Sequence, residues 1–139
     1  MTMTFVPSIC PYCGTGCGIL YQTDGENILA ALPNPLSPVS GNGLCIKGWS
    51  AHEHLRGEDR LTKPLIRQDA MNPGQFSTAS WDEALDHMTE RLQETVANHG
   101  PDSVMVLSSA KITNEENYLA QKFARAVIGT NNVDHCARL

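Results

Sequence analysis

The stretch Cys10-Pro11-Tyr12-Cys13-Gly14-Thr15-Gly16-Cys17 places three thiols within eight residues, and Cys45 follows after 27 intervening residues. Ionised thiols are ligands for zinc and for iron–sulfur clusters. A cubane cluster needs four thiolates converging on one small body. Three on one loop wrap three irons, and a distant fourth closes the cage. Structural zinc sites usually show two separate pairs of ligands, so a three-plus-one pattern is a poorer match. The spacing therefore predicts a single 4Fe–4S cluster on Cys10, Cys13, Cys17 and Cys45, with zinc as the competing metal and disulfides a distant third. Gly14, Gly16 and Gly18 suit such a loop, because they permit tight turns and let backbone N–H groups approach the cluster sulfurs.

Other reactive side chains are read against that set. Cys136 stands apart and reads as a small buried hydrophobe rather than a ligand. His52, His54, His87, His99 and His135 form no ligand pattern and read as surface or supporting groups. Lys47, in Cys45-Ile46-Lys47-Gly48, has two readings from spacing alone. It is an exposed lysine, or it is a cation beside an electron carrier, where it would stabilise the reduced, more negative cluster.

The elements that must position these residues fall into three zones, and the expected domains are 1–60, 61–79 and 80–139. The first is glycine-rich with little periodicity. Within it Asp24-Gly25 separates the apolar runs Gly18–Gln22 and Asn27–Ala31, a hairpin signal. The run Leu32–Pro38 is a proline-rich connection unsuited to a central strand. Residues 61–79 read as an extended linker punctuated by Pro64, Pro73 and Gly74, with Leu65-Ile66 a short strand at most.

From Ser80 the pattern changes. Ser80-Trp81-Asp82-Glu83 is a capping box, followed by Trp81, Leu85, Met88, Leu92 and Val96 at helical spacing up to Gly100-Pro101. Ser103–Ser108 reads as a short strand of the buried kind. Thr113-Asn114-Glu115-Glu116 opens a second helix that Gly129 stops, and a further strand begins at Asn132. Helix, strand, helix, strand is the opening of a parallel α/β sheet, with Val104, Val106, Leu119, Phe123 and Val127 as its buried positions. Such a sheet is covered on both faces and needs more strands. The fold class is thus α/β: an α+β iron–sulfur unit followed by the start of a parallel sheet, the whole read as the N-terminal piece of a larger protein.

Hydrophobic residues make up 41% and charged residues 18%, a globular composition. The net charge of −5, without a Lys/Arg run longer than a pair, offers no basic patch for nucleic acid. No apolar run approaches the ~20 residues of a membrane span, and the N-terminus lacks the pattern of a secretory signal. The chain reads as cytoplasmic, where clustered thiols are metal ligands more often than disulfides.

These residues resemble the molybdopterin oxidoreductases. The spacing Cys10-x-x-Cys13-x-x-x-Cys17, the long gap and Cys45-Ile46-Lys47-Gly48 are similar to that superfamily's N-terminal iron–sulfur domain, and Ser80–Ala84 to a segment widespread in it. The stretches Asn114–Tyr118 and Gln121–Arg138 resemble formate dehydrogenase catalytic subunits in particular. The cysteine spacing alone also fits nitrate reductases and a complex I subunit. The resemblance implies an enzyme with a 4Fe–4S cluster and bis-molybdopterin guanine dinucleotide carrying molybdenum or tungsten. It implies formate oxidation to carbon dioxide at that metal, with electrons passing through the pterin to the cluster and then to an iron–sulfur or flavin subunit, within a larger redox complex. It assigns Lys47 to electron relay between cluster and pterin. It also places the metal's own ligand, cysteine or selenocysteine, directly after Ala137-Arg138-Leu139, which raises the expectation that residue 140 is selenocysteine. Two other function classes compete: a stand-alone iron–sulfur electron-transfer module without catalysis, and a zinc-stabilised structural domain.

Overall fold

A computed structural model describes residues 2–68 and 74–136. Pro73 of the expected linker and the Ala137-Arg138-Leu139 run lie outside the described residues.

The first unit is a three-stranded antiparallel sheet of β1 (Thr4–Ile9), β2 (Gly18–Thr23) and β3 (Ile28–Pro33), in that order. The Asp-Gly hairpin joins β2 to β3 as its sequence predicts. Asp24 Oδ1 accepts from the N–H groups of Glu26 and Asn27 at 3.0 and 2.8 Å, which organises the turn. Pro33 ends an edge strand, and Pro7 lies in the other edge strand, the places where a missing N–H is tolerated. Strand β1 has no counterpart in the sequence reading. All six of its residues are exposed, so the alternation that betrays a half-buried strand is missing.

Two short helical segments follow: α1 (Ile46–Trp49) and a 3-10 turn at Glu53–Leu55. Cys10, Ile19, Ala31 and Ala51 form a small buried cluster, with Tyr12, Cys17, Tyr21 and Leu44 packed against it. This core therefore lies under the cysteine-bearing segment. The expected linker contains more structure than its prolines suggest. Here β4 (Leu65–Arg67) pairs antiparallel with β5 (Phe76–Thr78). Arg67 stacks over the Phe76 ring at 5.2 Å, a cation–π contact that extends the pairing.

The second unit begins with α2 (Trp81–His99). Its capping box is complete: Glu83 N–H donates to Ser80 Oγ, while the Ser80 N–H donates back to the Glu83 carboxylate at 2.8 Å. A 3-10 turn at Pro101–Ser103 then takes residues that the sequence pattern assigns in part to a strand, leaving β6 as Val106–Ser108. The reason is a side-chain commitment. Asp102 accepts from the buried Thr130 hydroxyl at 2.8 Å, and its carbonyl accepts from Asn132 at 2.9 Å. Helix α3 (Asn114–Lys122) starts at the second capping box and continues as a π-helical turn over Phe123–Ile128. Gly129 ends it in the left-handed region, donating to the Ala124 carbonyl five residues back. Strand β7 (Val133–His135) then pairs parallel to β6.

The α/β class holds, yet the buried face does not form as expected. Val104 and Val106 are only half-buried, and Leu119, Phe123 and Val127 are exposed, Val127 by 68%. Two parallel strands cannot cover these side chains, since a parallel sheet buries its residues only when neighbouring strands and helices close both faces.

Candidate metal centre

The first three cysteines belong to one hairpin loop. Ile9 and Gly18 are the last paired positions of β1 and β2, so residues 10–17 form the connection between them. The Cys10 N–H donates to the Cys17 carbonyl at 2.8 Å and closes the loop at its base. Cys10 and Cys17 thus stand at the two feet, and Cys13 sits on the arch. At Gly16 the backbone takes φ 71°, and its N–H turns back toward the Cys13 carbonyl. A side chain would resist that conformation, which is why glycine serves there.

Cys45 arrives from a different element. It is the residue just before α1, with extended backbone, and is exposed. Six residues later Ala51 is fully buried in the same cluster as Cys10, which draws the α1 segment against the hairpin loop. Ser37 helps from the proline-rich connection, its hydroxyl accepting from the Gly18 N–H at 3.3 Å.

The thiols are not equivalent. Burial pushes the Cys10 thiol up, and the neighbouring Cys17, Cys13 and Cys45 add to that shift. Cys13 is held low. Its thiol donates to Thr15 Oγ1 at 3.3 Å, and once ionised it accepts from the Thr15 hydroxyl and N–H, with the Lys47 charge contributing after them. Thr15 is a member of the site that the sequence reading passed over, because a hydroxyl between glycines carries no spacing signal. Lys47 is exposed, and its charge reaches Cys13.

Among the described residues, no three of His, Cys, Asp and Glu converge tightly enough to hold one metal ion. The four cysteines nonetheless lie within electrostatic reach of one another at Cys10. Thiols gathered around a shared space, but not at a point, fit a polynuclear cluster, in which each thiolate binds a different iron. Tetrahedral zinc differs in that its four ligands share one ion at about 2.3 Å.

The histidines stay outside the thiol set. His54 makes an edge contact with the Tyr12 ring at 6.3 Å between centroids, packing against the loop rather than offering a ligand. His52 Nδ1 is buried without a hydrogen-bond partner. Cys136 departs from expectation. It is exposed at the end of β7, 3.5 Å from Ser109 Oγ, rather than a buried hydrophobe. The end of a short parallel strand projects past the packing that would cover it, so burial at this position needs elements beyond β6 and β7.

Residues 60–139 match the molybdopterin oxidoreductase family, and residues 3–57 match the molybdopterin oxidoreductase Fe4S4 domain, so the chain belongs to the molybdopterin oxidoreductases. The cofactors of those domains are a 4Fe–4S cluster and molybdopterin. The relatives narrow the class. Over its whole length the chain is 48% identical to the F420-dependent formate dehydrogenase 1 subunit alpha of Methanococcus maripaludis. It is 50% identical over 96% of its length to the F420-dependent formate dehydrogenase 2 subunit alpha of the same organism. In each case it spans 19% of the relative's length. The fold is shared with acetylene hydratase from Pelobacter acetylenicus, with a TM-score of 0.72 over 93% of this chain and 18% of that one, at 22% identity. No helix among the described residues is long and apolar enough to cross a membrane.

Proposed function

We propose that this chain is part of a formate dehydrogenase catalytic subunit and relays electrons between a molybdopterin site and partner subunits. The observation that carries the reading is the proximity of the hairpin-loop thiols and the Cys45 thiol just before α1, in a chain 48% identical throughout to a formate dehydrogenase alpha subunit. On this reading residues 1–60 bind the cluster, 61–79 connect, and 80–139 begin the pterin-binding unit.

Cys10, Cys13, Cys17 and Cys45 hold the 4Fe–4S cluster. When bound, the cluster supplies a one-electron carrier, and bis-molybdopterin guanine dinucleotide with molybdenum or tungsten supplies the formate chemistry. The chain's own part is positioning and electrostatics. Ligation requires thiolates, and Cys13, already held low by Thr15, gives up its proton most easily. Cys10 is kept from water by the core beneath it, so its thiolate would meet the cluster from a dry side of the site. Lys47 places an ammonium where it favours the extra negative charge of the reduced state. In this proposal Lys47 stands between cluster and pterin. The metal's protein ligand in this proposal is a cysteine or selenocysteine, and the chain spans 19% of the formate dehydrogenase alpha subunits it resembles. An iron–sulfur or flavin subunit takes the electrons in a cytoplasmic redox complex.

The test is the full-length subunit under anaerobic conditions. Formate should evoke the EPR signal of a reduced 4Fe–4S cluster, and Cys17→Ser should abolish it. Zinc on these thiols, or a cluster that formate leaves oxidised, refutes the reading.

A further inference from the structure

A residue of α3 in the second unit meets the cysteine loop. Asn114 Nδ2 donates to the Gly14 carbonyl at 2.7 Å, across 100 positions of sequence. The amide fills the space that a side chain on Gly14 would need: a Cβ there would stand 2.5 Å from Asn114 Oδ1. Gly14 lies between Cys13 and Cys17, on the arch of the loop.

Asn114 is itself firmly held. It is the first residue of α3, enclosed by the Thr113–Glu116 capping box, whose reciprocal bonds are both made. Three residues on, Asn117 ties the same turn to the sheet. Its Nδ2 donates to the Ser109 carbonyl at 3.1 Å, and its Oδ1 accepts from Ser108 Oγ at 2.5 Å. The start of α3 is therefore pinned to the end of β6 on one side and reaches the cysteine loop on the other.

We propose that Asn114 is a positioning residue for the cluster: it locks the Cys13–Cys17 arch to the first turn of α3 and so sets the cluster's place relative to the parallel sheet. The proposal rests on the four-cysteine cluster reading. Loss of the amide donor frees the arch. A carboxylate at the same place also loses the donor and brings a negative charge beside the cluster, which disfavours the reduced state.

The experiment compares wild type, Asn114→Ala and Asn114→Asp in the full-length subunit by amide hydrogen exchange, by iron and sulfide analysis, and by an EPR-monitored redox titration. Both variants are expected to speed exchange at residues 14–16 by about five-fold, the worth of one ordinary hydrogen bond, while the amides of α2 stay unchanged. Asn114→Asp is expected to lower the cluster's reduction potential relative to Asn114→Ala. Wild-type exchange at residues 14–16 in Asn114→Ala overturns the latch. Equal potentials in the two variants overturn its place beside the cluster. Exchange reads the latch whether or not iron is bound, and a wild-type subunit without iron and sulfide overturns the cluster reading instead.

Discussion

Replacing Ile19 with alanine should loosen the cysteine site without touching a ligand. Ile19 is 0% exposed, two residues beyond Cys17 on the central strand β2, paired with Ser8 on one side and Pro33 on the other. Its buried neighbours are Cys10, Ala31 and Ala51. A buried Ile→Ala change costs about 2–5 kcal/mol, and the cost is greatest where surroundings cannot collapse into the gap. Two of the neighbours are alanines, with no side-chain reach to fill it, so the expected loss is in the upper part, about 3–5 kcal/mol. At about 1.4 kcal/mol per factor of ten, opening of the sheet becomes at least roughly a hundred-fold more frequent. If iron is lost through that opening, chelator bleaching of the cluster's visible absorbance should accelerate by a similar factor. Ile19→Val removes one methylene at about 0.5–1.5 kcal/mol, so its bleaching should stay within about ten-fold of wild type. Amide exchange along β2 supplies the metal-independent reading. An Ile19→Ala subunit that bleaches and exchanges at the wild-type rate would refute the claim that this core holds the site together.

Three further outcomes are expected. Lys47→Met should leave iron content intact but slow formate-driven reduction of acceptors, measured where chemistry is shown not to be rate-limiting; unchanged turnover there removes the relay role. Cys136→Ser should leave iron and sulfide unchanged while Cys45→Ser lowers both, and iron loss on replacing the exposed Cys136 would revise the ligand set. Finally, the start of α2 should weaken in acid. Glu83 is held below the ordinary carboxylate range by the N–H of Ser80 and then by its hydroxyl. A depressed carboxyl contributes stability above its unfolded pKa, and that contribution is lost as pH falls through the lower folded value. Protection of the first-turn amides should therefore drop on acidification, and Glu83→Gln should remove that dependence. A pH response identical in Glu83→Gln would assign it elsewhere.

Local chemistry was legible in the sequence wherever the partner lay a few residues away. Ser80 with Glu83 and Thr113 with Glu116 announce both capping boxes, because a serine or threonine hydroxyl and a glutamate three residues on satisfy each other's neighbouring N–H groups. Asp24-Gly25 announces its hairpin for the same reason. Cys10, Cys13 and Cys17 stand out as candidate ligands by type and spacing, since three thiols in one short loop have few other uses.

What depended on distant partners was decided only by the tertiary structure. Strand β1 exists because β2 offers it a hydrogen-bonding edge, and its six exposed residues carry no periodicity of their own. The end of the third helix is a π-helical turn, set by a bond from Gly129 to Ala124 that no local preference specifies. Thr130 is buried only because Asp102 folds back to meet it. Leu119, Phe123, Val127 and Cys136 read as core by type, yet they stay exposed, because burial belongs to whatever packs against a residue and not to the residue. Asn114 and Gly14, 100 positions apart, carry no sequence signal of their contact. Their meeting follows from the placement of α3 against the cysteine loop, and only the folded chain brings an amide donor to that carbonyl.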